Sequence, residues 1–195
     1  MTVALTRGAE GFPRRAFSVD DIRRMIDAGV IDEDERFELI EGEIVPMQAK
    51  SVAHDNIKHA LTLALARAVP DGMYVGIEAT IQLTKDVLLE PDIAIISRAV
   101  YKADPKSFAQ PKAKDVLLLI EIAVSSLAFD RNVKARLYAR HGIREYWVID
   151  ATDRVTWVHT GPAGEGWTSI VERGPQETLT TEALPDFSMR LSDIG

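Results

Sequence analysis

The chain contains no cysteine. That excludes a disulfide framework, a zinc–thiolate site and a cysteine nucleophile, and it agrees with a cytoplasmic location. No apolar run reaches the ~18 residues of a membrane-crossing helix. LTLALARAV (61–69) is too short and is interrupted by Arg67. The opening MTVALTRGAEGFPRR lacks the apolar stretch of a signal peptide. There is no glycine loop of the Walker or dinucleotide type, and no Gly-x-Ser-x-Gly elbow. Ser125 and Ser126 therefore read as caps of the next helix rather than as nucleophiles.

What is present is ordinary globular composition, 46% hydrophobic and 27% charged over 195 residues, enough for one domain with a proper core. Residues 1–15 read as a flexible N-terminal arm, and 16–195 as a single domain. The net charge of −7 argues against a protein that coats DNA indiscriminately. That charge is concentrated: Asp20 to Glu43 holds ten acids and three arginines, so the remainder is balanced. Arg98 to Lys114 carries five basic residues against Asp104, and Arg131 to Arg144 carries five with no acid. Such runs form either a solvated face or a local basic surface.

Hydropathy patterning gives the elements. Ser18 with Asp21 three residues on resembles a capping box and predicts a helix over 19–28. RFELIEGEIVPM (36–47) alternates about Glu41-Gly42 as a hairpin does. Ile57, Leu61, Ala64, Leu65 and Ala68 repeat at helical spacing, and Pro70-Asp71-Gly72 ends that helix. Two strands are expected over 73–84 and 87–98, the second disturbed by Pro91. DVLLLIEIAV (115–124) is apolar on both parities except at Glu121, the mark of a central strand covered on both faces. A helix over 129–140 and a meander over 144–172 follow. The order predicts an α/β layer structure, a mixed β-sheet flanked by helices.

Two acids stand out because they interrupt apolar strands. A buried carboxylate either takes up a proton or finds a cation. Asp92 or Glu121 alone is explained by a strand end or an arginine partner. The two together, in neighbouring apolar strands, point to a shared hard cation, Mg2+ or Mn2+. At about 100° per residue, Lys134 falls in the arc of Val133, Leu137, Tyr138 and His141, opposite Arg136 and Arg140. Its ammonium either snorkels to water or is aimed at the acids. His54 lies on the apolar face of its helix, where a satisfied core histidine is the commoner role. Glu38, Glu41 and Glu43 fit a solvated hairpin, with one of them able to reach a metal.

The stretches ERFELIEGEIV (35–45), EPDIAII (90–96), LLIEIAVSS (118–126) and DRNVKARLYARHGIREYWVID (130–150), with His54 between the first two, resemble the Uma2 family of restriction-endonuclease-like proteins. The resemblance implies the PD-(D/E)xK nuclease fold. It implies that Asp92 and Glu121 are the motif acids, and that Lys134 supplies the amine from the following helix, because Ala123 stands where the simple motif has lysine. Glu38 matches the acid of the ELI-x-GE stretch.

The resulting expectation is a Mg2+- or Mn2+-dependent endonuclease hydrolysing DNA phosphodiester bonds. Asp92, Glu121 and Lys134 are its catalytic residues, Asp92 and Glu121 its metal ligands, and Glu38 and His54 auxiliary. Lys102, Lys106, Lys112, Lys114 and Arg131 are candidate backbone contacts, and a homodimer would serve two strands. Two alternatives stay open: a nuclease-like scaffold that binds nucleic acid or a protein without cutting, and a metal-dependent hydrolase of a small phosphate ester.

Overall fold

The computed structural model describes residues 5–7, 11–101 and 110–195. The candidate contacts Lys102 and Lys106 lie outside the described residues. The chain divides into two compact units, Met1–Ala49 with Thr80–Glu90, and Lys50–Ala79 with Pro91–Gly195.

In the first unit, β1 (Leu5–Arg7) pairs antiparallel with β2 (Pro13–Arg15), a short ladder where the sequence suggests a loose arm. Backbone pairing forms this ladder without an apolar pattern to announce it, which explains why periodicity does not find it. Helix α1 (Val19–Asp27) begins at a complete capping box: Ser18 Oγ accepts from the Asp21 N–H, and Asp21 accepts from the Ser18 N–H. Its buried Val19 and Ile22 pack with Ile31 and Leu39. Strands β3 (Phe37–Ile40) and β4 (Glu43–Pro46) form the expected hairpin. The turn residues Glu41 and Gly42 have φ of 50° and 83°, as a tight primed turn requires. A Cβ on Gly42 would lie 2.6 Å from the Ala16 Cβ, so space as well as φ demands glycine there.

Each of the two long strands expected over 73–84 and 87–98 is broken into halves that join different sheets. Strands β6 (Ile81–Thr84) and β7 (Val87–Leu89) belong to a four-stranded sheet of order β4-β3-β7-β6 in the first unit. Strands β5 (Met73–Ile77) and β8 (Ile93–Ser97) pair with each other in the second unit. The breaks have local causes. Glu78 takes a φ of 50°, and Pro91 has no N–H to give a ladder.

The second unit is built on a six-stranded sheet of order β12-β11-β10-β9-β8-β5. The central β9 (Val116–Ala123) is antiparallel to β8 and parallel to β10 (Glu145–Asp150). β11 (Thr156–Ala163) and β12 (Gly166–Arg173) complete the meander. Helix α2 (Val52–Ala68), N-capped by Ser51, buries Ile57, Leu61 and Leu65 against Ile93, Ile95, Leu118, Ile120 and Ile122. A small hairpin of β13 (Leu179–Thr181) and β14 (Leu184–Met189) joins the same cluster through Leu184 and Phe187.

The parallel pair β9–β10 needs a crossover. Leu127–Phe129, a π-helical Asp130–Lys134 and Ala135–Arg140 supply it as one composite helix, α3. It starts two residues earlier than its periodicity suggests. The Trp167 indole N–H donates to the Ala135 carbonyl at 2.9 Å and ties α3 to β12.

Candidate active site

Asp92 enters the sheet just ahead of β8. The register Ile93↔Ile120 brings it alongside Glu121 of β9, and its Oδ2 accepts the Ile122 N–H at 2.9 Å. His54, in the first turn of α2, brings Nε2 to 2.9 Å from Asp92 Oδ1, while its Nδ1 lies 3.1 Å from Asp55 Oδ1. Lys50 Nζ lies 3.4 Å from the same Asp92 Oδ1. Burial alone would push the Asp92 carboxyl up. The His54 hydrogen bond and charge, the Ile122 N–H and the Lys50 ammonium outweigh it, and hold the group below the usual carboxylate range.

Glu121 points to the α3 side. Its Oε1 accepts from Lys134 Nζ at 2.9 Å and from the Tyr138 hydroxyl at 3.0 Å. Lys134 is only 6% exposed, so this is a buried ion pair and not a snorkelling lysine. The π turn ending at Lys134 is the wide one: the Ala135 N–H donates to the Asp130 carbonyl, five residues back. Asp130 Oδ1 lies 3.9 Å from Lys134 Nζ, and its Oδ2 accepts from Ser126 Oγ at 2.6 Å. The Tyr146 hydroxyl holds the Asp130 carbonyl at 3.2 Å.

A third acid adjoins Asp92. The Glu78 N–H donates to the Asp92 carbonyl at 3.1 Å. Its Oε1 takes the Lys58 ammonium at 2.6 Å and also pairs with Lys50. Burial raises the Glu78 carboxyl, but hydrogen bonds and charge from Lys50 and Lys58 bring it down to about 2. Burial likewise lowers the Lys58 amine, and Glu78, Lys50 and Asp92 together turn the balance upward.

The other expected residues are more dispersed. Glu38 is buried in the first unit, where its Oε1 accepts the Glu90 N–H at 3.1 Å. Lys112 and Lys114 are exposed beside a single 3-10 turn, Ala113–Asp115. The Arg131 guanidinium stacks 3.8 Å from the Trp157 ring centroid. Among the described residues no group of three or more His, Asp and Glu side chains stands ready to enclose a metal.

Asp130, Lys50, Lys58 and Glu78 are site neighbours that sequence reading passed over, and Tyr138 was placed on the inward arc of Lys134 without a role at the site. Asp130 carried a usable signal, since it lies four residues before Lys134 on one helix. Lys50 and Glu78 carried none, being 28 residues apart.

A mixed sheet with buried Glu121 on its central strand, buried Asp92 just ahead of the adjacent one, and a crossover-helix lysine paired with Glu121 makes this a mixed α/β protein. The chain belongs to the Uma2 family, described as "Putative restriction endonuclease", which matches residues 19–192. It shares its fold with a crystal structure described as a "putative nuclease belonging to DUF820" from Anabaena variabilis ATCC 29413. The TM-score is 0.70 at 15% identity, over 91% of this chain and 97% of that one. No curated protein matches the chain.

Proposed function

We propose that the protein is a metal-dependent endonuclease that hydrolyses DNA phosphodiester bonds, using Asp92, Glu121 and Lys134. The observation that carries this reading is the buried Lys134–Glu121 pair at 2.9 Å, on the strand next to Asp92. An amine on a helix takes the role that Ala123 leaves vacant in the strand.

The donor set suits Mg2+ or Mn2+. Asp92 and Glu121 are hard oxygen donors, and magnesium is commonly held by one or two carboxylates plus substrate phosphates rather than by a protein cage. A divalent ion there would polarise the scissile phosphate and lower the pKa of a coordinated water. His54 and the Ile122 N–H orient Asp92, and Tyr138 orients Glu121. Lys134 directs the attacking water or sets positive charge beside the phosphorane-like transition state. Asp130 and Ser126 position Lys134 from behind. A cytoplasmic homodimer, with Lys112, Lys114 and Arg131 near the DNA backbone, completes the proposal. Among the described residues no helix is long and apolar enough to cross a membrane.

A non-cutting scaffold is the second reading. It is favoured by the net charge of −7 and by the protein partners already on both oxygens of Asp92. Supercoiled plasmid incubated with Mg2+ or Mn2+ separates the two. Nicking by the wild type that falls at least a hundredfold in Glu121→Gln supports the nuclease. Equal nicking by both proteins overturns it, and DNA binding without nicking selects the scaffold.

A further inference from the structure

We propose that β12 is a dimerisation edge, where a second copy of this chain pairs strand to strand, antiparallel, about a two-fold axis through Ile170. The inference rests on the homodimer of the preceding reading and assigns its interface. It does not depend on whether the site cuts.

Three observations lead there. First, the edge is open. β12 is eight residues long and ends the six-stranded sheet, so among the described residues no strand meets its outer side. Such an edge displays unpaired N–H and C=O groups, and sheet proteins commonly blunt it with lysine, proline or a bulge. GWTSIVER (166–173) has neither lysine nor proline, and its ladder with β11 keeps a single register. Thr168 to Glu172 are all exposed. Ile170 and Val171 are 56% and 37% exposed, one on each face of the sheet. Both are β-branched residues of the kind that favours strand pairing.

Second, the opposite edge is guarded. β5 is five residues long, and the Arg98 Nε–H donates to its Met73 carbonyl at 2.8 Å. The backbone then turns away at Glu78, with a φ of 50°. One open edge per copy makes the contact self-directed. β12 on β12 closes at two copies, whereas β12 on β5 would propagate into a filament.

Third, the strand is self-complementary in charge. An axis on Ile170 uses Trp167 to Arg173 in full. Ile170 then meets its own counterpart, Thr168 lies opposite the Glu172 of the second copy, and Trp167 lies opposite its Arg173. A guanidinium beside an indole is favourable. Parallel pairing would instead set Glu172 against Glu172 and Arg173 against Arg173, and like charges directly opposite destabilise a sheet. An antiparallel two-fold runs perpendicular to the sheet, so α3 of both copies stays on one side. The two Lys134–Glu121 pairs then share that side, as two strands of one duplex would require.

The test is sedimentation velocity of the wild type and Ile170→Lys at micromolar concentration. The wild type should sediment with twice the mass of one chain. Ile170→Lys brings two ammonium groups to the axis and should weaken association at least about a hundredfold. Its far-UV circular dichroism should not change, because the side chain it replaces is exposed. The wild-type melting temperature should rise with protein concentration, and that of Ile170→Lys should not.

Cross-linking reads the register. The chain has no cysteine, so Ile170→Cys places its single thiol on the axis. Directly opposed Cα atoms lie about 4.5–5.5 Å apart, within disulfide reach. Val171→Cys faces Ser169 of the second copy, and its own counterpart lies about 7–8 Å away on the diagonal, out of reach. Mild oxidation should therefore link Ile170→Cys and leave Val171→Cys unlinked. A monomeric wild type, a dimer that Ile170→Lys leaves intact, or equal linking of the two cysteine variants overturns the proposal. The two readings fail separately. Plasmid nicking abolished by Glu121→Gln in a protein that sediments as a monomer sinks the interface alone. A dimer dissociated by Ile170→Lys, in a protein that never nicks, sinks the nuclease alone.

Discussion

Lys134 and Glu121 stand thirteen residues apart in the chain and meet at 2.9 Å with both side chains buried. The contact joins the last residue of a π turn to the C-terminal half of the central strand. Its burial gives the pair a structural role, which can be separated by experiment from the catalytic role proposed for it.

Removing one partner strands the other. Lys134→Met should cost about 3–5 kcal/mol, because an uncompensated carboxylate is left in the interior. Glu121→Gln should cost less, since an amide oxygen still accepts from Tyr138 and Lys134. The double variant Lys134→Met/Glu121→Gln should regain much of the stability lost in Lys134→Met, without regaining nicking. Urea unfolding alongside plasmid nicking checks both halves. If stability and nicking recover together, the pair has no chemical role.

Gly42 offers a test in the first unit. With φ of 83° and the Ala16 Cβ 2.6 Å from where its own Cβ would be, Gly42→Ala should destabilise by roughly 1–3 kcal/mol. A urea midpoint equal to that of the wild type would show that the turn relaxes.

Glu145 makes stability fall as pH rises. Burial raises its carboxyl above the ordinary 4.5, hydrogen bonds from Thr181 and Trp147 oppose this, and Glu182 adds to the rise. The folded state therefore binds the extra proton between 4.5 and the raised value. Its stabilising share is complete below 4.5 and is lost as pH climbs through the folded pKa. Glu145→Gln keeps acceptors and donors for both partners but carries no charge. It should raise the melting temperature by about 2–4 °C at pH 8, with the gain vanishing toward pH 4.5. A constant offset at every pH would refute the assignment.

His159 acts in the opposite sense. Burial lowers its imidazole below the ordinary 6.5, the Tyr146 and Trp157 carbonyls push back upward, and the Arg131 charge lowers it further. The unfolded chain then binds the proton first. The contribution is intact above pH 6.5 and is lost as pH falls through the folded value. His159→Gln should flatten that acid limb of the stability profile, measured by thermal unfolding between pH 5 and 7.5. An unchanged limb would mean that another group controls it.

Much of this protein could be read in one dimension. The apolar run around Glu121 announced a central strand because a strand covered on both faces has no polar parity. The capping box at Ser18, the Glu41-Gly42 turn and the helix ending at Pro70 follow from bonding and φ preferences that act within four residues. Lys134 fell on the inward arc because it borders the α-helical Ala135–Arg140, over which the helical angle is a local quantity. The long pattern from Asp130 to Asp150 carried the family.

The tertiary structure decided what local rules do not encode. It broke two apparent strands at Glu78 and Pro91 and sent their halves to different sheets. It set Asp92 against Glu121 through one register of β8 on β9. It also brought His54 to Asp92 across 38 residues, and joined Lys50 and Lys58 at Glu78. Such contacts depend on sheet order and register, which are chosen by the packing of whole elements against one another. The acids and amines of the candidate site were therefore present in the sequence as residue types alone. Which amine attends which acid was decided only when the sheet and its two covering helices packed together.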